Sequence, residues 1–163
     1  MFANRISQIL HDDHRMTIAL MERLERAINR RQPADVADQE TLRLLRDLAV
    51  AMDSETWRHF DFEENHLFTF LQSIGDQAIG DLLTEEHAAM RPIGKELAAL
   101  SRKAQASGFD AASWQQFQRM AGEMVERMLA HVQKEEMALL PLINQAMDSE
   151  TEARLYEVYA EDV

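Results

Sequence analysis

Six polar residues sit at helical spacing on stretches whose other inward positions are apolar. They are four histidines and two glutamates: His14, His59, Glu63, His87, His131 and Glu135. The inward stripe of a packed helix normally carries apolar side chains. A buried carboxylate without a partner is costly and would simply take up a proton. The six residues together therefore need a chemical explanation.

The pattern His-x-x-x-Glu occurs twice and puts both side chains of each pair on one face of a helix, with Cβ atoms roughly 6 Å apart. Imidazoles and carboxylates suit iron, manganese or zinc better than magnesium or calcium. Two cations would also neutralise the two buried carboxylates. The spacing predicts a site for two metal ions. The alternative from the residues alone is a set of buried His–Glu hydrogen-bonded pairs.

An internal repeat supports the metal interpretation. Residues 10–14 (LHDDH) resemble 83–87 (LTEEH), and residues 59–64 (HFDFEE) resemble 131–136 (HVQKEE). Each half thus contains one histidine followed by a His-x-x-x-Glu pair. We expect two helical hairpins stacked as a pseudo-twofold bundle, with the repeated polar residues meeting near its axis.

The elements that must position these residues are long helices. Leu, Ala, Met, Glu, Arg and Gln, all good helix formers, fill the stretches between a few turn-forming segments. The expected helices span about residues 5–31, 38–72, 76–106 and 111–146, with a short fifth at about 149–160. The spacings Ser113/Gln116 and Ser149/Glu152 suggest capping boxes. The predicted fold is all-α: an antiparallel up-down four-helix bundle (about 5–146) in a single domain, 1–163.

Composition narrows the function classes. The 163 residues include no cysteine, which excludes disulfides, thiolate metal sites and iron–sulfur clusters. A net charge of −12 disfavours binding to nucleic acid or anionic membranes. The sequence contains no apolar stretch long enough to predict a membrane span, and no secretory signal is visible. We therefore expect a cytoplasmic protein.

The pattern His…His-x-x-x-Glu…His…His-x-x-x-Glu places one histidine or one His-x-x-x-Glu pair on each expected helix. In this pattern the chain resembles the hemerythrin-like (HHE cation-binding) domain family over about residues 8–143. The resemblance implies a four-helix bundle holding a non-haem di-iron centre bridged by carboxylates. Carried over position by position, the resemblance makes Glu63 and Glu135 the bridging ligands and the four histidines the terminal ones: His14, His59, His87 and His131.

This sequence departs from the oxygen-carrying members of the family, which have His-x-x-x-His on the third helix. Here Arg91 stands four residues after His87. A site with one imidazole fewer is more open, which favours binding or turnover of dioxygen, peroxide or nitric oxide over simple oxygen carriage. The alternative is an iron or oxygen sensor, or an iron store, without turnover. Iron is the expected metal, with manganese and zinc less favoured, and the oligomeric state is left open.

Further residues near the six expected ligands could also affect the site. His66 could be a seventh ligand or a residue at the end of the bundle, and His11 is expected to be solvated. Pro92 predicts a kink beside His87. The kink could be harmless, or it could widen an entrance to the metal pair, where Arg91 would attract anions.

The acidic residues next to the expected ligands are interpreted in the same way. Glu64 and Glu136 could face outward or hydrogen-bond to ligand histidines. Asp13 and Glu86 are expected on the helix surface.

Overall fold

The computed structural model describes residues 1–161 as a bundle of helices. Helix α1 spans Arg5–Ile28, α3 spans Ala78–Ser107 and α5 spans Ser149–Glu161. Helix α2 runs through residues 39–73 and α4 through 111–146. No strand occurs within residues 1–161, so the all-α prediction is confirmed. The bounds agree closely with expectation, except that α1 ends three residues early.

Two helix starts are fixed by aspartates that precede the serines suggested by the sequence, by three positions at α4 and by one at α5. Asp110, not Ser113, caps α4: its carboxylate accepts from the Ser113 backbone N–H, and the Ser113 hydroxyl accepts from the Asp110 N–H. Asp148 likewise accepts from the Thr151 N–H at 2.7 Å before α5. An aspartate satisfies the free N–H groups as serine does and adds a favourable charge at the helix start.

Helices α2 and α4 contain widened turns, in which an N–H bonds the carbonyl five residues back. Helix α2 is built from Gln39–Val50, a wide turn at Ala51–Glu55, Thr56–Phe62, a wide turn at Glu63–Leu67, and Phe68–Ser73. Helix α4 is built from Ala111–Lys134, a wide turn at Glu135–Leu139, and Leu140–Ala146. Two of these turns begin at Glu63 and Glu135, the repeated glutamates. Wide turns of this kind are rare and often mark functional positions.

The wide turn at Ala51–Glu55 belongs to a close contact between α2 and α3. The Trp57 indole N–H donates to the Met52 carbonyl at 2.6 Å. A Cβ on Gly94 of α3 would lie 2.2 Å from the Trp57 ring, so only glycine allows this approach. Helix α3 continues unbroken across Pro92. Gly94 therefore serves helix packing.

The apolar core is divided into two clusters by a layer of polar residues. One cluster contains Trp114, Phe117 and Phe60, and the other contains Phe62, Leu67 and further residues toward α5. Between them, buried but polar, lie five of the six repeated residues: His14, Glu63, His87, His131 and Glu135. His59, the sixth, is mostly buried.

The four long helices do not pack equally closely. The backbones of α2 and α3, of α3 and α4, and of α1 and α4 approach over longer stretches than those of α1 and α2. The α1–α2 edge is the loosest side of the bundle. Within the described chain, none of the helices combines the length and apolar character needed to span a bilayer.

Candidate metal centre

The structure brings all six repeated residues together in the polar layer. Their ligand-type atoms form two groups of four, and within each group these atoms lie within 4.8 Å of one another. The first group consists of His14, His59, Glu63 and Glu135, and the second of Glu63, His87, His131 and Glu135. Both glutamates belong to both groups. This arrangement gives each group two imidazoles and a share in two carboxylates.

The closest approaches run from the imidazoles to the glutamates. The Nε2 atoms of His14 and His131 lie 2.8 Å and 2.7 Å from different oxygens of Glu135. The Nε2 atom of His87 lies 3.3 Å from Glu63 Oε1, and that of His59 lies 3.5 Å from the same oxygen. Glu135 contacts one histidine from each group, which is the position expected of a bridging carboxylate.

These contacts do not satisfy the glutamates as hydrogen bonds would. All four carboxylate oxygens of Glu63 and Glu135, and the Nε2 atom of His14, have no aligned hydrogen-bond partner. The short N···O distances are therefore ion-pair contacts whose N–H directions miss the oxygens. Buried carboxylates are normally hydrogen-bonded. Five such atoms converging on one small region fit the donor set of a metal centre.

A closed ring of hydrogen bonds orients the four histidines. Each helix contributes one carboxylate that accepts from the histidine of the next helix, at Nδ1···O distances of 2.9 to 3.1 Å. The pairs are Asp13–His59, Glu64–His87, Glu86–His131 and Glu136–His14. A carboxylate can only accept, so each Nδ1 must donate. The Nε2 atoms are thereby turned toward the centre, where they could bind a metal. The Nε2 atoms of His87 and His131 lie 3.1 Å apart there, within hydrogen-bond distance of each other.

This ring settles the interpretation of the acidic neighbours. Asp13 and Glu86, which were expected on the helix surface, are partly exposed, but each also accepts from a histidine of its own hairpin. Glu64 and Glu136 follow the hydrogen-bonding alternative and join one hairpin to the other. The repeat itself carried the missing signal, since both halves place an acidic residue directly before the first histidine and directly after the glutamate.

Each ring carboxylate has a further partner of different chemistry. Tyr159 of α5 donates to Asp13, Arg91 donates to Glu64 and Lys134 donates to Glu86. The ring of His11 lies 2.9 Å from Glu136. His11 is therefore bonded to the ring, contrary to the expectation of a solvated side chain. The carboxylates of the four similar His–carboxylate pairs thus have four different outer partners: a phenol, a guanidinium, an ammonium and an imidazole.

The buried glutamates and histidines of the centre shift the pKa values of one another, so that histidines are protonated beside an ionised Glu135. Burial opposes ionisation of Glu135, but interactions with His131, His14, His59 and His87 outweigh it and hold the pKa of Glu135 well below its usual range. Burial also opposes protonation of His87, yet Glu135 and Glu63 raise its pKa to about 9. The pKa values of His14 and His59 are raised by carboxylates in the same way. Without metal, protons supply the positive charge that cations would otherwise bring.

The other expected site residues lie away from the centre. His66 is half-buried, with its ring 5.7 Å from that of Phe62, and does not join either group of four. Arg91 is held by Asp61 and Glu64. It does not line the cavity that lies between α1 and α2. The hypothesis of an anion-attracting entrance at Pro92 is therefore not supported by the structure.

Comparison with known proteins agrees with this geometry. The model of the Hemerythrin HHE cation binding domain matches residues 5–143, and a second match covers 78–162. The chain belongs to the hemerythrin HHE cation-binding family. No match was found among curated proteins or among solved structures. The second match falls on the second hairpin and α5, as the internal repeat would lead one to expect.

The two groups of this HHE domain differ in exposure. The side chain of His59 is 13% exposed, whereas those of His14, His87 and His131 are 3% exposed or less. The His87 ring stacks on Phe60 at 3.8 Å between ring centroids, with an angle of 7° between the planes. The second group is the more deeply buried, although its His131 lines the cavity between α1 and α2 together with His14 and His59 of the first group.

Proposed function

We propose that this domain holds two iron ions and binds or turns over a small oxidant: dioxygen, peroxide or nitric oxide. The observation that carries the proposal is the pair of four-residue groups that share Glu63 and Glu135. His14 and His59 would hold one ion, and His87 and His131 the other. Glu63 and Glu135 would bridge them. Manganese or zinc would fit the same donors less specifically.

An iron pair supplies electrons to a small oxidant when it is bound; the chain's own residues supply its surroundings. The carboxylate ring fixes the imidazole orientations and makes the Nε2 atoms more basic. Phe60 covers His87 and excludes water from the second group. His59, open to the cavity, lies where a small molecule would reach the centre. No serine, cysteine or lysine nucleophile is needed.

A second candidate, a sensor without turnover, is favoured by one contact. Tyr159 on α5 donates to Asp13, which holds His59. A change at the first group could therefore alter the attachment of α5 to the bundle. In that case metal loading would change the stability or exposure of α5, without consumption of an oxidant.

The test is metal content per chain, measured by plasma mass spectrometry on protein from iron-replete cells, with its absorption spectrum. We expect about two iron ions per chain and near-ultraviolet bands of a bridged iron pair. Glu135→Ala should lose both ions, because Glu135 belongs to both groups. Glu126→Gln, an exposed change on the same helix, is the matched control and should keep them.

Peroxide consumption and nitric oxide binding by the loaded protein then separate the two candidates. Turnover at a rate abolished by Glu135→Ala supports the oxidant role, and loading without turnover supports the sensor. Absence of stoichiometric metal, even after anaerobic Fe(II) addition, would show that the six residues form only a hydrogen-bonded core.

A further inference from the structure

A cavity of about 610 Å³ separates α1 from α2 and ends at the candidate metal centre. Its inner end is formed by His14, His59 and His131, and Tyr159 also lines it. Much of its wall is apolar, including Met21, Met52, Phe60, Phe62 and Val132. All five of these side chains belong to the two core clusters, so the cavity opens the core to the outside.

The cavity exists because the first hairpin has smaller residues than the second at equivalent positions. By the internal repeat, Thr17 of α1 corresponds to Met90 of α3, and Thr56 of α2 corresponds to Met128 of α4. Both threonines line the cavity and are half-buried, whereas Met90 and Met128 are each 1% exposed. The first hairpin thus has short side chains at the cavity where the second has long buried ones, and Met128 itself forms part of the cavity wall from α4.

This volume far exceeds what a small oxidant needs. A water molecule takes up roughly 30 Å³ of liquid, and dioxygen or nitric oxide is of similar size. Cavities of about 300–1,000 Å³ with mainly apolar walls and a few polar groups are typical of sites for organic ligands. Leaving such a volume unfilled in a core is also destabilising, so the threonines are not explained by packing.

The polar groups of the cavity indicate that its ligand is uncharged. Arg23 and Asp47 on its lining bind each other at 2.8 Å. Asp13 accepts from His59 and Tyr159. These three charges are already paired within the protein, and the two other charged residues of the lining, Glu55 and Arg58, are exposed to solvent. A charged ligand would therefore have to compete with these partners or with water.

Two large apolar side chains lie at the outer rim, beside the exposed charged residues Asp47, Glu55 and Arg58. Met16 of α1 and Val50 of α2 line the cavity and are 72% and 52% exposed. Large apolar side chains at a cavity mouth favour entry of an apolar molecule.

We propose that the α1–α2 cavity binds one uncharged, mainly apolar organic molecule of roughly 10–20 non-hydrogen atoms, with one end beside His59. This goes beyond the proposed handling of small oxidants. It makes the first group a place where an organic molecule and the metal centre meet. Binding itself depends on the cavity and not on the metal.

The test is equilibrium dialysis of the full chain, as purified, with the neutral probe N-phenyl-1-naphthylamine and the anionic probe dodecanoate. We expect one neutral probe per chain and weaker binding of dodecanoate. Thr17→Met and Thr56→Met, which copy the second hairpin, should each weaken neutral-probe binding by about tenfold or more. The exposed Thr69→Met on α2 is the matched control and should bind like the parent.

Thermal unfolding and metal content keep the outcomes distinct. The two cavity variants should unfold at the same temperature as the parent or higher and keep its metal content. If either variant is unfolded, Thr56→Leu and Thr17→Leu take its place.

Absence of neutral-probe binding to the parent chain would overturn the proposal, as would equal binding by the cavity variants and Thr69→Met. Equal affinity for dodecanoate would overturn the assignment of an uncharged ligand. A parent dimer that Thr56→Met dissociates in sedimentation would show that a second copy, not a small molecule, fills the cavity. None of these outcomes depends on whether iron is present.

Discussion

The two hairpins carry the same ligand types on the same helical positions, yet they build different surroundings. In the second hairpin, His131 is 2% exposed and Met90 and Met128 are buried. In the first, His59 is 13% exposed and Thr17 and Thr56 line a cavity. The outer partners differ too: Asp13 accepts from Tyr159 of α5, and Glu86 accepts from Lys134. Access to the centre is thus set by packing residues, while the duplicated residues set its donor chemistry.

The largest expected difference between the halves follows removal of one histidine from each. His131→Ala leaves Glu135 without its closest imidazole in a buried layer, and we expect the loss of about one ion or more per chain together with lower stability. His59→Ala removes a partly exposed imidazole, whose place water can take, so more metal should remain. Metal content per chain checks this order. Equal losses would mean that exposure does not distinguish the two groups.

The next largest expected effect is the stabilisation of the folded protein by bound metal. An ion present at 100 times its Kd stabilises the folded state by about 2.7 kcal/mol, which corresponds to a rise of about 5–10 °C in Tm for a domain of this size. We expect at least this rise on Fe(II) loading of the metal-free protein. Differential scanning calorimetry under anaerobic conditions measures it. A rise that persists in Glu135→Ala would place the ion outside the centre.

The pH dependence of the metal-free protein has a definite sign. The pKa of His87 is raised from 6.5 to about 9, so its stabilising contribution is complete below about pH 6.5 and is lost as the pH rises toward 9. The pKa of Glu135 is lowered, so its contribution is lost as the pH falls below its usual 4.5. The Tm of metal-free protein should therefore peak at about pH 5–6.5.

Metal-loaded protein provides the control for this pH profile. Because bound cations replace the protons of the imidazoles, its Tm should fall less between pH 6.5 and 9, and loading at pH 7 should release protons. A metal-free profile that is flat over this range would contradict the assigned charges.

The smallest effect concerns the outer partners. Tyr159→Phe removes the hydrogen bond to Asp13 and should lower the free energy of unfolding by about 1 kcal/mol. Lys134→Gln removes an ammonium that is 47% exposed, and its effect should stay below about 0.5 kcal/mol. Urea unfolding of the two variants compares the halves directly. A larger effect for Lys134→Gln would reverse the order.

Much of this architecture could be predicted from the sequence because periodicity and the repeat act over many residues. Helix bounds, the bundle and the meeting of the six polar residues all follow from apolar spacing. The wide turns at Glu63 and Glu135 could not be predicted in this way, because a wide turn adds one residue without changing residue types. The cavity was also missed: it is lined by residues of several helices, including Thr17 and Thr56, which no single helix reveals.

The roles of the acidic residues next to the expected ligands could be predicted only in part. Asp13 and Glu86 stand next to expected ligands, and their spacing places them off the inward stripe. Their contact with the imidazole of the next helix depends on how the two helices pack together. Helix crossing geometry is a property of the assembled bundle, so sequence periodicity alone favoured a surface position.

The polar layer that divides the core has a consequence for how the molecule comes apart. Two apolar clusters on either side of a charged layer share few direct apolar contacts, so each end can open while the other stays closed. A bound ion pair, tied to all four long helices at one level, would join both ends into a single cooperative unit. Native-state hydrogen exchange should then report two opening events in the metal-free chain and one in the loaded chain.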